Sequence, residues 1–346
     1  MANAVLAGFA AVMAITTVAS AAPPALESRS FTIPAVDSGI QLYMREKHPA
    51  GMTTFSPDKT VLFIHGATYP AETSFDLPIE GVSMMDLIAR QGYDVFLVDV
   101  RGYGGSTKAP EMDQPASANK PLGTSTEAGK DLGAAVDYIL KTRNIPKLDL
   151  IGWSWGTSIS GAYTSTHNDK INRLVLYAPA WLPSTTTTPS SAPIPAYRTV
   201  VKEAAKARWL RGVPEDKQAT LIPPGVFDAW WDATQATDPV GAKMNPPALR
   251  ATNGVVEEFV NYWGAGKLYY NPGEITVPTL LIHAEWDADL PSYQAQAYFK
   301  QLTKAPHKRF VELGEGTHTV MLEKNRMAFF REIVGFLGEE DLGALR

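Results

Sequence analysis

The chain has 346 residues, 45% of them hydrophobic, which is enough to bury one large core with a lid beside it. Its 31 basic and 36 acidic side chains leave a net charge of −5, which argues against a surface for nucleic acid or another polyanion. The absence of cysteine excludes disulfides, a thiolate metal site and a cysteine nucleophile. No His-Glu-x-x-His, P-loop or EF-hand pattern asks for a metal or nucleotide, so no cofactor is expected.

In chain order, residues 4–19 are nearly uncharged and rich in Ala and Val, and Ala19-Ser20-Ala21 fits a small-residue cleavage site. The run is short for a membrane span, so residues 1–21 read as a secretory signal peptide, although residues 1–10 lack the usual Lys or Arg. The expected location is then periplasmic or secreted, and otherwise cytoplasmic. Residues 31–35 and 40–45 predict a hairpin around Asp37-Ser38-Gly39. An apolar strand at 60–64 ends in His65-Gly66-Ala67. A helix near 81–91 separates it from a strand at 94–98, which runs into Asp99-Val100-Arg101-Gly102-Tyr103-Gly104-Gly105-Ser106. That turn is not a dinucleotide fingerprint, because Thr107 occupies the third glycine position. The capping box Thr124-x-x-Glu127 opens a helix over 124–141.

A strand at 147–151 then meets Gly152-Trp153-Ser154-Trp155-Gly156, and the small residues of 157–163 read as the first turns of a helix. Alone, G-x-S-x-G is common. Between a strand and a helix it reads as a nucleophile elbow, a sharp turn that lifts the Ser154 hydroxyl above the sheet. Side chains at Gly152 and Gly156 would collide with backbone in so tight a turn.

After a strand at 172–177, the turn Ala178-Pro179-Ala180 offers no carboxylate. Residues 182–273 break the rhythm: no buried strand is expected there, 183–191 are low-complexity, and 200–210 and 255–263 have helical spacing. Trp209, Trp230, Trp231 and Trp263 lie in this stretch, with Trp181 at its entrance, and most are expected to form its own core. The strand at 277–283 leads into a loop with three acids, Glu285, Asp287 and Asp289. A helix from Ser292, a strand at 308–312, His318 and a helix from Leu322 complete the set. Alternating strands and helices predict a mostly parallel sheet covered on both faces.

A serine nucleophile needs a base, a carboxylate to orient it, and N–H donors for the oxyanion. His307 stands at the wrong end of its strand and His283 lies inside an apolar run. His318 follows its strand at the carboxyl end, where open sheets carry their sites.

The elbow, the His65-Gly66 strand end and the Asp99-to-Ser106 turn, which is similar to D-x-R-G-x-G-x-S, together resemble serine hydrolases of the α/β-hydrolase superfamily. The likeness covers about residues 40–340 apart from the insertion. It implies an eight-stranded, mostly parallel sheet with helices on both faces, formed by 22–181 and 274–346, and a largely helical cap at 182–273. It also implies the order Ser, acid, His, which points to Ser154 and His318. Asp-x-x-x-Pro resembles the family's acid loop and favours Asp287, with Asp289 as the alternative. The oxyanion donors would be the Trp155 and Ala67 N–H groups. His65 is expected to brace its loop, and Arg101 to tie loops together.

The expected activity is cleavage of a carboxylic ester of a small to medium, partly apolar substrate through an acyl-serine. Trp155 and the Asp-x-Arg-Gly turn also resemble proline iminopeptidases, which bind a free amino terminus with cap carboxylates. Glu203, Glu257 and Glu258 would serve in that case, against the plainer reading of exposed helix charge. Trp153 departs from that pattern, which usually has glycine there. Epoxide hydrolases and haloalkane dehalogenases carry aspartate at the elbow and are disfavoured. Lactonase and C–C hydrolase activity stand as alternatives, and a ligand-binding receptor on the same fold is the non-enzyme alternative.

Overall fold

The computed structural model describes residues 23–181, 192–263 and 265–340. The expected signal peptide and the low-complexity run at 183–191 lie outside these residues. The hairpin forms from β1 (Leu26–Pro34) and β2 (Gln41–Pro49). β3 (Thr60–Ile64) is followed by helices α1 (Ala71–Phe75) and α2 (Met84–Ala89), then β4 (Asp94–Val98). Helix α3 (Ser125–Arg143), β5 (Leu148–Trp153), α4 (Trp155–Thr166) and β6 (Ile171–Tyr177) come next. Between β6 and the next strand of the sheet lie β7 (Tyr197–Val201), α5 (Lys202–Trp209), α6 (Glu215–Leu221), α7 (Val226–Ala236), β8 (Ala248–Thr252) and α8 (Gly254–Glu258). The chain closes with β9 (Thr279–Ala284), α9 (Ser292–Gln301), β10 (Lys308–Leu313) and α10 (Arg326–Leu337).

The eight-stranded sheet runs β1-β2-β4-β3-β5-β6-β9-β10, with β2 antiparallel to both neighbours and every other pairing parallel. β3, β4 and β5 are buried on both faces, which is why β3 and β4 read as near-continuous apolar runs rather than alternating ones. Val61 and Phe63 pack on one face with α2 and α10, and Leu62 and Ile64 on the other with α3 and α4. At the start of α3 the capping box is complete: the Thr124 hydroxyl accepts from Glu127 N–H, and Glu127 Oε2 accepts from Thr124 N–H at 2.9 Å. Among the described residues no helix is long and apolar enough to cross a membrane.

Three expectations shift. The helix foreseen over 200–210 begins only at Lys202, because Tyr197–Val201 pairs as β7 with β8. β8 is a wholly buried strand where none was expected. Its centre is Arg250, whose charge interrupts the apolar run; Asp238 accepts from Arg250 Nη2 at 2.7 Å and from its N–H at 2.8 Å, and so makes the burial tolerable. The last helix starts at Arg326, and residues 320–322 form a separate 3-10 turn.

Asp149 on β5 is a buried acid with one oxygen accepting from Asn172 Nδ2 at 2.8 Å and the other without a partner among the described residues. Desolvation pushes its pKa from 3.8 up to about 8. The folded chain therefore keeps a proton that the unfolded chain releases near 3.8. The raised value makes its contribution to stability greatest below that pH, and lost as pH rises through about 8. Asp149→Asn preserves an acceptor for Asn172 and should gain stability relative to wild type as pH rises. Calorimetry near pH 5 and near pH 8 should show the variant's Tm advantage growing by roughly 1–2 °C for each kcal/mol recovered. An advantage of the same size at both pH values would contradict this assignment.

Candidate active site

The elbow is strained. Ser154 has φ 55° and ψ −124°, a conformation that costs a non-glycine residue about 1–3 kcal/mol and persists only where neighbours enforce it. Here Ser154 N–H donates to Tyr177 O at 2.9 Å, and Thr157 N–H donates to Ser154 O at 2.8 Å. A Cβ on Gly152 would stand 2.6 Å from Gly156 O, and one on Gly156 would stand 2.6 Å from His65 O, so the turn is pressed against the end of β3.

His318 arrives on the loop after β10. That loop is fixed by buried Glu323, whose carboxylate accepts from Thr317 N–H at 2.9 Å and from the Thr317 and Thr319 hydroxyls. Ser154 Oγ–H donates to His318 Nε2 at 2.8 Å, and His318 Nδ1–H donates to Asp287 Oδ2 at 2.8 Å. The other Asp287 oxygen accepts from the N–H groups of Asp289 and Leu290 at 2.9 and 3.0 Å. All three side chains are buried. Ser154, His318 and Asp287 thus form one hydrogen-bonded line, which fixes the histidine tautomer with Nε2 free to accept.

The competing residues go elsewhere. Asp289 makes no bond to His318; its carboxylate accepts from Arg208 Nε at 2.6 Å and pairs with Arg211. Glu285 accepts from Glu315 N–H at 2.9 Å. His283 donates from Nε2 to Leu290 O at 2.9 Å, and His307 is half exposed at the foot of β10. His65 is buried and burial pulls its pKa down to about 4, so it is neutral. Its Nδ1–H donates to Gly66 O at 2.6 Å and its Nε2 accepts from Val100 N–H at 3.1 Å, which joins the loops after β3 and β4. Arg101 forks onto Asp131 and reaches Asp37 at 2.7 Å.

The Gly66-Ala67 backbone passes beside the serine, since a Cβ on Gly66 would lie 2.8 Å from Ser154 Cβ. Ala67 and Trp155 border the same cavity as Ser154 and His318. Its volume is about 310 Å³, and Arg198, Val255, Phe259 and Trp263 from the segment between β6 and β9 wall it. Of the tryptophans in that segment, Trp209 and Trp230 pack on each other with ring centroids 4.6 Å apart, and Trp230 stands edge-on to Tyr69 at 4.7 Å. Trp263 faces the cavity.

Two residues have roles that the sequence does not announce. Trp153, the departure from the iminopeptidase pattern, donates its indole N–H to His318 O at 2.8 Å and so ties the elbow to the histidine loop. Glu258 is a correction: neither exposed helix charge nor aimed into the cavity, it is buried and accepts from Ser125 N–H at 2.6 Å and from the Ser125 hydroxyl. Ser125 Oγ in turn accepts from Trp155 Nε1 at 2.7 Å. Burial raises the Glu258 pKa above the ordinary range. Glu203 is exposed and Glu257 half-buried, and neither is among the residues lining the cavity.

The α/β hydrolase fold family model matches residues 59–325. A stretch of 103 residues is 38% identical to a probable lipase of Schizosaccharomyces pombe; it is 29% of this chain and spans only 22% of that relative's length. Among solved structures, a thermophilic esterase from Thermogutta terrifontis superposes with a TM-score of 0.57 at 17% identity, over 90% of this chain and 100% of that one. A 2-hydroxy-6-oxo-6-phenylhexa-2,4-dienoate hydrolase from a Rhodococcus species gives 0.59 at 14% identity, over 91% and 100%. At such identities the structural likeness is one of fold.

Proposed function

This chain belongs to the α/β-hydrolase fold family, and from that footing we propose that it is a serine hydrolase cleaving a carboxylic ester. The observation that carries the reading is the pair of 2.8 Å hydrogen bonds that links Ser154 through His318 to Asp287. His318 takes the Ser154 proton as Oγ attacks the ester carbonyl, and Asp287 stabilises the resulting imidazolium. The Ala67 and Trp155 N–H groups receive the oxyanion, each worth about 10²–10³-fold in turnover. The tetrahedral species collapses, His318 protonates the departing alcohol, and an acyl-Ser154 remains. Water deprotonated by His318 then releases the acid.

Residues 182–273 act in this reading as a cap, and their side chains at the cavity support it. The apolar stretch at 4–19 supports export to the periplasm or beyond the cell. The aminopeptidase reading is disfavoured, because Glu203, Glu257 and Glu258 do not line the cavity, whereas three arginines do, with Asp289 as the single acid.

A fluorophosphonate should label Ser154, and p-nitrophenyl esters from acetate to palmitate should be hydrolysed by the wild type and not by Ser154→Ala. Turnover of prolyl p-nitroanilide alone would move the assignment to an aminopeptidase. An unlabelled serine with no turnover would leave a binding protein.

A further inference from the structure

The cavity over Ser154 is electrically lopsided. Its apolar wall includes Val255, Phe259 and Trp263, while its polar side carries three guanidinium groups, Arg198, Arg208 and Arg211, and one acid besides the Asp287 behind His318, namely Asp289. That single carboxylate is shared by Arg208 and Arg211. Asp287, the other acid whose field reaches Arg211, is held by His318.

Arg198 on β7 has no acidic partner among the described residues. Its Nη1 donates to Thr252 O at 2.6 Å and to Asn253 Oδ1 at 3.0 Å, and its Nη2 donates to Thr68 Oγ1, all uncharged acceptors. Burial and the neighbouring Arg208 both disfavour its charged form. A cation removed from water without a counterion is costly, and three cations against one acid leave an excess that an incoming anion relieves. A further donor is idle nearby: Trp209 Nε1 is buried without a partner among the described residues, in a narrow niche that Arg208 shares and that opens beside Ala67 and His318.

We propose that the site selects an ester that carries a free carboxylate elsewhere in the molecule, gripped by Arg198 with Arg208 beside it, while the apolar wall takes the connecting carbons. This rests on the hydrolase reading above and names its substrate class. A carboxylate offers two in-plane oxygens that suit the planar donor fork of arginine, whereas a neutral ester end would leave Arg198 desolvated and unpaired. A free ammonium would meet like charge.

The test compares kcat/KM for monomethyl adipate and for methyl hexanoate, which have the same chain length, in wild type, Arg198→Met and Arg198→Lys. Wild type should favour the half-ester by about 10–100-fold, the effect of one or two charge-assisted hydrogen bonds. In Arg198→Met that ratio should fall toward one, mainly through a higher KM for the half-ester, and Arg198→Lys should recover part of it. A wild-type ratio at or below one, or equal losses on both esters in Arg198→Met, would overturn the proposal. Should Arg198→Met fail to fold, protection of wild-type Ser154 from fluorophosphonate gives the same reading: adipate should slow labelling and hexane-1,6-diol should not. Equal effects of the two would again overturn it. An unlabelled Ser154 with neither ester turned over would instead sink the hydrolase reading itself, whereas a labelled serine and a preferred neutral ester would sink the carboxylate alone.

Discussion

Replacing Ser154 by alanine is expected to lower kcat for ester hydrolysis by about 10⁴–10⁶-fold, while the fold and the affinity for substrate persist. The loss is this large because the hydroxyl is the only atom in the line of hydrogen bonds that can form the covalent bond. His318 Nε2, 2.8 Å away, would then have no proton to accept from a nucleophile. Alanine keeps the Cβ and tolerates the φ of 55° no worse than serine does, so the melting temperature should stay close to that of wild type. Residual activity above roughly one hundredth of wild type would mean that another group attacks the ester.

Asp287→Asn should lower kcat by about 10⁴-fold with little change in the surrounding structure. One Asp287 oxygen accepts two backbone N–H groups, and an asparagine carbonyl can keep both. The amide N–H₂ then faces His318 Nδ1 and forces the opposite tautomer, whose Nε2–H points at Ser154 and cannot take its proton. Asp289→Asn is the control: it frees Arg208 and Arg211 but touches no histidine, so its effect on kcat should be at most about tenfold. Steady-state kinetics on the two variants distinguish the acids; a larger loss in Asp289→Asn would reverse the assignment.

Much of the frame is legible in the sequence because its signals are local. The apolar runs of β3 and β4 mark strands buried on both faces, and the Thr124–Glu127 box marks the start of α3 within three residues. The elbow is legible for the same reason, since its glycines answer to contacts within the turn and with the adjoining end of β3. Asp287 and Asp289 look alike in one dimension. They separate only in space, where one meets a histidine 31 residues away and the other meets two arginines from the inserted segment.

Long-range compensation is what hides the rest. β8 does not read as buried because Arg250 stands in its centre, and only the fold reveals Asp238 beside it. Glu258 reads as surface charge because its partner, Ser125, is 133 residues distant. The arginines of the cavity, Arg198 on β7 and Arg208 with Arg211 at the end of α5, form no motif; their meaning arises from facing one cavity with a single acid, Asp289, among them.

The chain of contacts from Trp155 through Ser125 to Glu258 has a consequence for how molecules reach the serine. Gly254 N–H also donates to Leu122 O at 2.6 Å, so α8 is riveted to the start of α3. Swinging that side outward would strip the acceptor from buried donors, each at a cost of about 1–3 kcal/mol. That side, where Phe259 and Arg211 stand exposed beside the cavity, is therefore expected to hold its place while substrate enters. The expected behaviour is that of a sieve: turnover should fall with the breadth of the ester more steeply than with its length.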